Sequence, residues 1–130
     1  MLRKTKLKRK SKSETRRTQD LLWQECRRII LKKYGDFCYT CKKPVAGSNR
    51  QVGHFIPNSV GGASLRYNLN NLRPQCYYCN INLGGNGSAF YNELLKDCGK
   101  LYIDDLFALK NKTVKALDHY LQLLEQYARM

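Results

Sequence analysis

The chain has 130 residues, with 24 lysines and arginines against 10 aspartates and glutamates and a formal net charge of +14. This length supports a single domain with a modest hydrophobic core. No segment has the roughly 18 or more apolar residues of a membrane span, and the charged N-terminal segment lacks the apolar stretch of a signal peptide. We therefore expect no membrane partner and a cytoplasmic location, where cysteines bind metal rather than pair as disulfides.

The positive charge is concentrated in the first 80 residues. Residues 1–20 and residues 21–80 each hold nine lysines and arginines against two acids, whereas residues 81–130 hold six of each. A one-sided positive surface attracts polyanions, most commonly nucleic acid. A generally basic, soluble protein is the alternative, but its C-terminal part would not be neutral. We therefore expect a nucleic-acid partner.

Residues 1–17 are predicted to form a basic tail, disordered or a nascent helix until it meets a polyanion, and residues 18–130 a single domain. The tail is dense in like charge and poor in apolar side chains, so burial cannot offset the entropy of ordering it. A solubilising or localisation tail is the alternative interpretation of this segment.

A basic amphipathic helix is predicted over residues 20–34. Apolar residues recur there at helical spacing, and Gly35 ends the pattern. The opposite side of this helix carries four candidates for contacts with nucleic acid, namely Arg27, Arg28, Lys32 and Lys33.

Residues 37–87 are rich in Gly, Asn, Pro and Tyr, which predicts short strands and ordered loops around a metal. Helical patterning returns after Ser88, a candidate N-cap, and predicts helices over 88–130. In the last predicted helix a stripe of apolar side chains at helical spacing predicts a packing face, either within the fold or between two copies of the chain. The stripe consists of Val114, Leu117, Leu121, Leu124 and Ala128.

Two C-x2-C pairs, Cys38 with Cys41 and Cys76 with Cys79, are separated by 34 residues. Two residues between paired cysteines allow both sulfurs to bind one ion at about 2.3 Å. Two such pairs fill a closed tetrahedral shell, which is typical of structural zinc. Redox C-x-x-C chemistry is the alternative, but two pairs in so short a chain disfavour it. Cys26 and Cys98 fall on apolar helix faces, which predicts core thiols.

The segment between the cysteine pairs contains Gly53-His54-Phe55-Ile56-Pro57. Its histidine is the candidate for chemistry, because an ordinary pKa near 6.5 lets an imidazole accept a proton at neutral pH. A lone histidine is more often a structural or surface residue, as we expect for His119. The position of His54 between two zinc pairs and upstream of Cys79-Asn80 favours function.

The order of these motifs resembles the HNH or ββα-metal nucleases, in which a zinc knuckle holds a β-hairpin and a helix. Asn80, directly after the last cysteine, is similar to the zinc arrangement of endonuclease VII. A closer similarity is to the phage NinG (Rap) recombination proteins, from about residue 15 onward. It rests on QVGHFIP, LRYN, PQCYYCN, the turn at residues 83–86 and LKNKTVK.

The resemblance implies an α+β fold with a small zinc-stapled ββα-metal, treble-clef-like centre over residues 37–87 and flanking helices. It also implies a phage recombination endonuclease in the host cytoplasm that uses Mg²⁺ or Mn²⁺. The expected substrate, branched DNA such as Holliday junctions or D-loops, is supplied by the resemblance alone.

The roles of individual residues follow from the same resemblance together with their chemistry. His54 is the expected general base, and Asn80 can offer its amide oxygen to Mg²⁺. Asn71 matches the middle residue of the HNH motif and would orient the imidazole; a capping residue in an Asn-rich loop is the alternative. Arg66 and Arg73 are candidates for contacts with phosphates.

One position departs from the common HNH pattern. Many HNH enzymes have an aspartate metal ligand just before the histidine, where this chain has Gly53, and no Asp or Glu occurs from residue 37 to 92. Asp36 or Glu93 could contribute only if the fold brings them close. The group that replaces this aspartate is left open, and we expect metal binding to be weak without DNA.

Two other functions fit the sequence. One is a non-catalytic, zinc-containing protein that binds branched DNA in recombination, for which Gly53 is the main support. The other is an HNH nuclease that cuts duplex DNA. A homodimer is attractive for a resolvase, because resolving a junction requires two symmetric cuts.

Overall fold

The first helix of the fold begins earlier than the sequence predicted. The computed structural model describes residues 13–130, and residues 1–12 lie outside the described part. Helix α1 spans Glu14–Tyr34. Ser13 caps it by accepting a hydrogen bond from the Arg16 backbone N–H at 3.1 Å, and Glu14 complements the positive end of the helix. The predicted tail is therefore wrong for residues 14–17, and most of the rest of it lies outside the described residues.

Two short strands form an antiparallel sheet, as expected for residues 37–87. Strand β1 (Gln51–His54) pairs with β2 (Leu72–Gln75), so that Gly53 lies opposite Arg73 and His54 opposite Leu72. Every residue of β2 is buried. The small sheet is therefore enclosed by the helices and loops around it.

The connection between the strands contains two single-turn helices, α2 (Asn58–Gly61) and α3 (Ala63–Arg66). Gly62 separates them with a φ of 73°, a left-handed conformation that favours glycine. A 3₁₀ turn, Leu69–Asn71, leads into β2. After β2 a π-helical turn, Tyr78–Asn82, carries the last of the paired cysteines.

Three further helices complete the chain: α4 (Gly87–Cys98), α5 (Lys100–Ala108) and α6 (Ala116–Ala128). Helical structure after residue 88 was predicted, but Ser88 lies inside the first turn of α4. The cap position is instead Asn86, which has a left-handed φ of 52°. The combination of helices with a small sheet confirms an α+β fold.

The main hydrophobic core lies between α1, α6 and the sheet, and Cys26 is a fully buried member of it, as predicted. On α6 the buried residues are Tyr120 and Tyr127, whereas Leu121 of the predicted stripe is 41% exposed. Tyr127 donates from its hydroxyl to the carbonyl of Tyr67 at 2.7 Å. Tyrosines therefore anchor α6 against α1 and the loop before β2.

A second core joins α4 and α5 to the cysteine loop through Tyr39, Phe90, Leu94 and Ile103. Cys98, at the end of α4, is exposed, so its prediction as a core thiol is wrong. None of the helices within residues 13–130 is both long enough and apolar enough to cross a membrane.

Candidate functional site

The four paired cysteines converge on one point. The sulfurs of Cys38, Cys41, Cys76 and Cys79 all lie within 4.8 Å of one another, and the Sγ atoms of Cys41 and Cys76 are 3.7 Å apart. Sulfurs at about 2.3 Å from a tetrahedral zinc ion are about 3.8 Å apart. The donor set and its spacing therefore fit a Zn²⁺ ion, held by all four sulfurs and closed to further ligands.

Backbone N–H groups support the sulfurs in both pairs. The N–H of Cys41 points to Cys38 Sγ at 3.5 Å, and the N–H of Cys79 points to Cys76 Sγ at 3.4 Å. The side-chain amide of Asn86 lies 3.7 Å from Cys79 Sγ. These donors stabilise negative charge on thiolates, as metal-bound cysteines require.

The four thiols differ in their tendency to ionise. Burial raises the pKa of Cys38, but hydrogen bonds from Thr40 and from backbone N–H groups outweigh it and lower that pKa to about 6. Burial and hydrogen bonds with neighbouring sulfurs raise the pKa of Cys41 to about 12. Adjacent thiolates repel one another, so all four ionise together only around a bound cation.

His54 lies at the end of β1, half-buried beneath α1. Its ring stacks on the indole of Trp23, with centroids 5.4 Å apart and planes 7° apart. Its Nε2 lies 2.8 Å from the carbonyl oxygen of Arg66. A carbonyl only accepts, so Nε2 carries the proton and the neutral ring keeps Nδ1 as its proton acceptor.

The surroundings of His54 favour the neutral ring. Burial lowers the pKa of His54, and the positive charge of Arg66 lowers it further, while the hydrogen bond to the Arg66 carbonyl acts in the opposite direction. At neutral pH the imidazole is therefore able to accept a proton.

A cleft of about 230 Å³ contains His54. Its lining includes Trp23, Asn58, Tyr67 and three charged residues, Arg16, Asp20 and Arg66. Arg16 and Asp20 form an ion pair at 3.3 Å. The cleft thus combines a proton acceptor with positive groups suited to a phosphate.

Sequence reasoning missed the contributions of α1 to this cleft. Arg16 was assigned to the disordered tail, and neither Asp20 nor Trp23 belongs to a motif. Helical spacing does place these residues on successive turns of one side of α1. No local sequence pattern shows that this side of α1 packs over His54, which follows about thirty residues later in the chain.

Asn71 is completely buried and its side chain contacts backbone groups rather than the imidazole. Its Oδ1 accepts from the N–H of Ile56 at 2.8 Å, and its Nδ2 donates to the carbonyls of Ile56 and Leu65 at 3.0 and 3.3 Å. The expected direct orientation of the ring is not observed. Asn71 fixes the α2–α3 segment, which ends at Arg66, the residue whose carbonyl holds His54.

Asn80 lies in the π-helical turn next to β1. Its Nδ2 donates to Oε1 of Gln51 at 2.9 Å. Its Oδ1 lies 3.0 Å from the point that a Cβ on residue 53 would occupy. The amide oxygen therefore faces Gly53, the residue before His54.

A second depression begins on the other side of Trp23 and includes Arg27, Arg50 and Asn80 in its lining. Among the other predicted contacts on α1, Lys32 and Lys33 are exposed near its C-terminal end. Arg28 is partly engaged, because it pairs with Glu25 and donates to the carbonyl of Tyr127 at 3.1 Å. Of the basic residues of α1, Arg16 therefore lines the first depression and Arg27 the second.

The prediction that Arg73 contacts phosphate is wrong for this structure. Its side chain is 1% exposed, and its guanidinium lies 4.6, 5.3 and 5.7 Å from the rings of Tyr34, Tyr39 and Tyr102. It also donates to the Tyr102 hydroxyl at 2.9 Å and to the Leu72 carbonyl at 2.8 Å. Arg73 therefore joins β2 to its neighbours as a structural cation.

The two acids that flank residues 37–92 are each engaged in an ion pair. Asp36 pairs with Arg50 at 2.9 Å, and Glu93 pairs with Lys42 at 2.7 Å. Within residues 13–130 the four cysteines are the one cluster of three or more Cys, His, Asp or Glu side chains with metal-binding spacing. A second metal ion in this part of the chain would therefore have at most two such side chains among its ligands.

Fold and site define an α+β protein with a four-cysteine cluster that can hold a metal ion and a cleft around a histidine that contains two arginines. The sequence profile described as Bacteriophage Lambda NinG protein matches residues 1–129. The chain therefore belongs to the NinG family, which confirms the resemblance found in its motifs. No curated protein and no solved structure matches the chain.

Proposed function

We propose that this chain is a metal-dependent DNA endonuclease of the HNH type that cuts branched intermediates of phage recombination, such as Holliday junctions and D-loops. In this proposal β1, β2 and the π-helical turn are the ββα-metal centre, stapled by structural zinc. One observation carries the proposal. The imidazole of His54 is fixed through Nε2 by the Arg66 carbonyl at 2.8 Å, in a cleft with cationic side chains.

Hydrolysis of a phosphodiester requires a proton acceptor for the attacking water. The tautomer fixed by the Arg66 carbonyl leaves Nδ1 for this task. Stacking on Trp23 restricts rotation of the ring, and burial lowers the pKa of His54, so the acceptor form dominates at neutral pH. His54 is accordingly the proposed general base.

The cationic residues at the cleft position the DNA backbone. Arg66 is exposed at the end of α3, with its guanidinium 5.6 Å from the Tyr67 ring, and Arg16 lies across the cleft on α1. Guanidinium groups bind phosphate oxygens in pairs of hydrogen bonds. Arg27, Lys32 and Lys33 extend this basic surface along α1.

The proposed catalytic cation is Mg²⁺ or Mn²⁺, and Asn80 is the residue already placed to hold it. When bound, such an ion would supply positive charge to a nonbridging oxygen and to the leaving oxygen. The Asn80 Oδ1 faces Gly53 while its Nδ2 is held by Gln51. The orientation of this amide is thus fixed without help from the ion.

Branched DNA is proposed as the substrate because of membership in the NinG family, which points to phage recombination. The test compares a four-way junction with a matched duplex, each incubated with pure protein in Mg²⁺ and in EDTA. We expect junction cleavage in Mg²⁺ alone. Equal cutting of the duplex would contradict the structure preference and favour the duplex nuclease.

A second candidate is a non-catalytic protein that binds branched DNA. It is favoured by the lack of any Asp or Glu from residue 37 to 92 and by the ion pairs that engage the two flanking carboxylates, Asp36 with Arg50 and Glu93 with Lys42. Tight junction binding with no strand cleavage in either Mg²⁺ or Mn²⁺ would favour it. A homodimer, expected for two symmetric cuts, stays a prediction.

A further inference from the structure

Apolar residues are concentrated at the surface of the π-helical turn. Four large apolar residues within a stretch of seven are between 44% and 59% exposed, namely Tyr77, Tyr78, Ile81 and Leu83. None of the four belongs to a hydrophobic core formed by the described residues. Single exposed apolar residues are ordinary, whereas a contiguous group indicates a binding surface.

Three of these residues lie on one side of the turn. The backbone is already helical at Tyr77 and stays helical to Asn82, so the two tyrosines precede Ile81 by four and three residues. Residues at this spacing share a helix face. Cys79 is buried on the opposite side with the other sulfurs. We name Tyr77, Tyr78 and Ile81 the aromatic patch.

The two tyrosine rings of the patch are unengaged. Within residues 13–130 neither ring contacts another aromatic ring or a cation, and neither hydroxyl has a hydrogen-bond partner. The backbone around them is held instead. The N–H of Tyr77 donates to Asn49 Oδ1 at 2.7 Å, and the N–H of Cys79 points to Cys76 Sγ at 3.4 Å. The turn is therefore fixed while both rings stay available to a partner, and a tyrosine ring loses little conformational entropy on binding.

The patch adjoins a basic depression through Asn80. This residue of the same turn lines the depression that also contains Arg27 and Arg50. The Arg27 side chain has no ion pair or hydrogen bond in the described part of the chain, whereas Arg50 pairs with Asp36. The segment that carries the patch contributes no carboxylate, because no Asp or Glu occurs from residue 37 to 92. Positive charge beside exposed aromatic rings favours a partner that is anionic and has flat apolar surfaces.

Unstacked DNA bases have both properties. Their flat faces stack on aromatic side chains whatever the base, and the phosphates beside them carry negative charge. In duplex DNA these faces are covered by neighbouring base pairs. At an open branch point the last base pair of each arm has no neighbour on one side. We propose that the aromatic patch stacks on the base faces exposed at a DNA branch point, while Arg27 binds an adjacent phosphate.

The inference rests on the proposed function for its partner, branched DNA, and names the surface that distinguishes this DNA from a duplex. Both forms present the same phosphates, so contacts from lysines and arginines supply affinity without preference for structure. Open base faces are present at the branch point alone. The aromatic patch therefore determines the preference for branched DNA, whereas His54 determines cleavage.

Binding in the absence of divalent cations tests the patch without cutting the DNA. In the full-length, zinc-loaded protein, Tyr77→Ala with Tyr78→Ala should lower the affinity for a four-way junction by at least about fivefold, the lower end of the effect of losing one base stack. Affinity for a matched duplex should not change. The slope of junction affinity against salt should also stay the same, because no phosphate contact is lost. Tyr77→Phe with Tyr78→Phe should bind as the wild type, since stacking does not need the hydroxyl.

Two further variants serve as controls for the double alanine variant. Tyr91→Ala replaces an exposed tyrosine of α4 outside the patch and should bind as the wild type. Arg27→Gln removes a proposed phosphate contact, so it should weaken junction and duplex binding alike and flatten the salt slope. Zinc content and circular dichroism verify folding, and sedimentation gives the oligomeric state of each variant.

Photocrosslinking of the wild-type protein covers the case in which the double alanine variant does not fold. On irradiation 5-iodouracil crosslinks to the aromatic ring on which it stacks. With this base at the branch point of the junction, mass spectrometry should locate the crosslink at Tyr77 or Tyr78. With the same base well inside one arm, neither tyrosine should be crosslinked.

The inference is overturned if the folded double alanine variant keeps wild-type junction affinity, if it loses junction and duplex affinity equally, or if the branch-point crosslink lies at another residue such as Trp23. A dimer that this variant converts to a monomer would assign the patch to a second copy of the chain and overturn it as well. Failure of the proposed function looks different. A protein that stacks on the branch point but cuts no DNA would keep the patch and remove the nuclease. Wild-type junction affinity and cleavage in the double alanine variant would remove the patch and leave the nuclease.

Discussion

The indole of Trp23 and the imidazole of His54 lie parallel, 7° apart in plane and 5.4 Å apart between centroids. The two residues come from separate elements, since Trp23 is on α1 and His54 ends β1. The ring that we propose as the general base is therefore held from above by α1 and from the side by the Arg66 carbonyl. Trp23 is also the single tryptophan of the chain, so tryptophan fluorescence reports on this contact.

The fluorescence of Trp23 should report the protonation of His54. An imidazolium stacked on an excited indole quenches its emission, whereas the neutral ring does so less. Because burial lowers the pKa of His54, we expect emission to rise with pH and the midpoint to fall below the ordinary value of about 6.5. The His54→Ala variant should lose the transition, and a midpoint above 6.5 would contradict the described environment.

The stacking contact should matter for cleavage more than for folding. Trp23→Leu preserves apolar contact with Tyr67 but removes the flat surface that restrains the imidazole. We expect about a tenfold loss in the rate of junction cleavage, with Trp23→Phe close to the wild type. DNA affinity and zinc content serve as controls, and a Trp23→Leu variant with unchanged rate would show that stacking does not position the base.

The zinc should be structural, with one ion per chain by elemental analysis. Cys76→Ser leaves three sulfurs and should unfold the segment around residues 37–87, because binding of the ion supplies much of its stability. Cys98→Ser is the matched control, since Cys98 is an exposed thiol outside the cluster. For both variants, circular dichroism measures folding and elemental analysis measures the zinc content. A Cys76→Ser protein that stays folded without zinc would contradict the assignment.

The two arginines predicted to contact phosphates should now behave differently. Arg66→Gln should weaken DNA binding with little effect on stability, because its side chain is exposed. Arg73→Met should destabilise the fold by about 1–3 kcal/mol, because it leaves the carbonyls of Asn70 and Leu72 without the donor that Arg73 supplies. Urea unfolding and DNA titration separate these effects. Equal stability of the two variants would contradict the buried position of Arg73.

The N-terminal residues should contribute salt-dependent affinity. Deletion of residues 1–12 removes seven positive charges and leaves the Ser13 cap of α1 in place. Fewer counterions are then released on binding, so the slope of affinity against salt should flatten while the preference for junctions is kept. Loss of the preference with an unchanged slope would assign the segment a different role.

The sequence predicted the four-cysteine cluster because its signal is local and chemical. Two C-x2-C pairs specify four thiolates whatever the fold around them, and the structure brings them within 4.8 Å of one another. His54 was predicted as the candidate for chemistry from its place between these pairs. The helices after residue 88 followed from periodicity, although tyrosines rather than leucines form much of the buried face of α6.

Contacts between distant segments were not predictable in the same way. Arg73 was expected to contact phosphate, but three tyrosines from α1, the cysteine loop and α5 surround its guanidinium. Likewise the close approach of the Gln75 side chain to Gly53 exists only through the pairing of β1 with β2. Such relationships depend on strand register and on which helix faces pack together.

Cleavage of a four-way junction by His54→Ala tests the central claim most directly. Zinc content, folding and DNA affinity should stay near the wild-type values, because four sulfurs fill the zinc shell without the histidine. The rate should fall by at least ~10²-fold, the usual contribution of a general base, and neither Mn²⁺ nor raised Mg²⁺ should restore it. Asn80→Ala should also lose activity, but partial rescue by Mn²⁺ is expected there. If His54→Ala cuts the junction at the wild-type rate, the nuclease assignment is contradicted, and a protein that binds branched DNA becomes the better account of the chain.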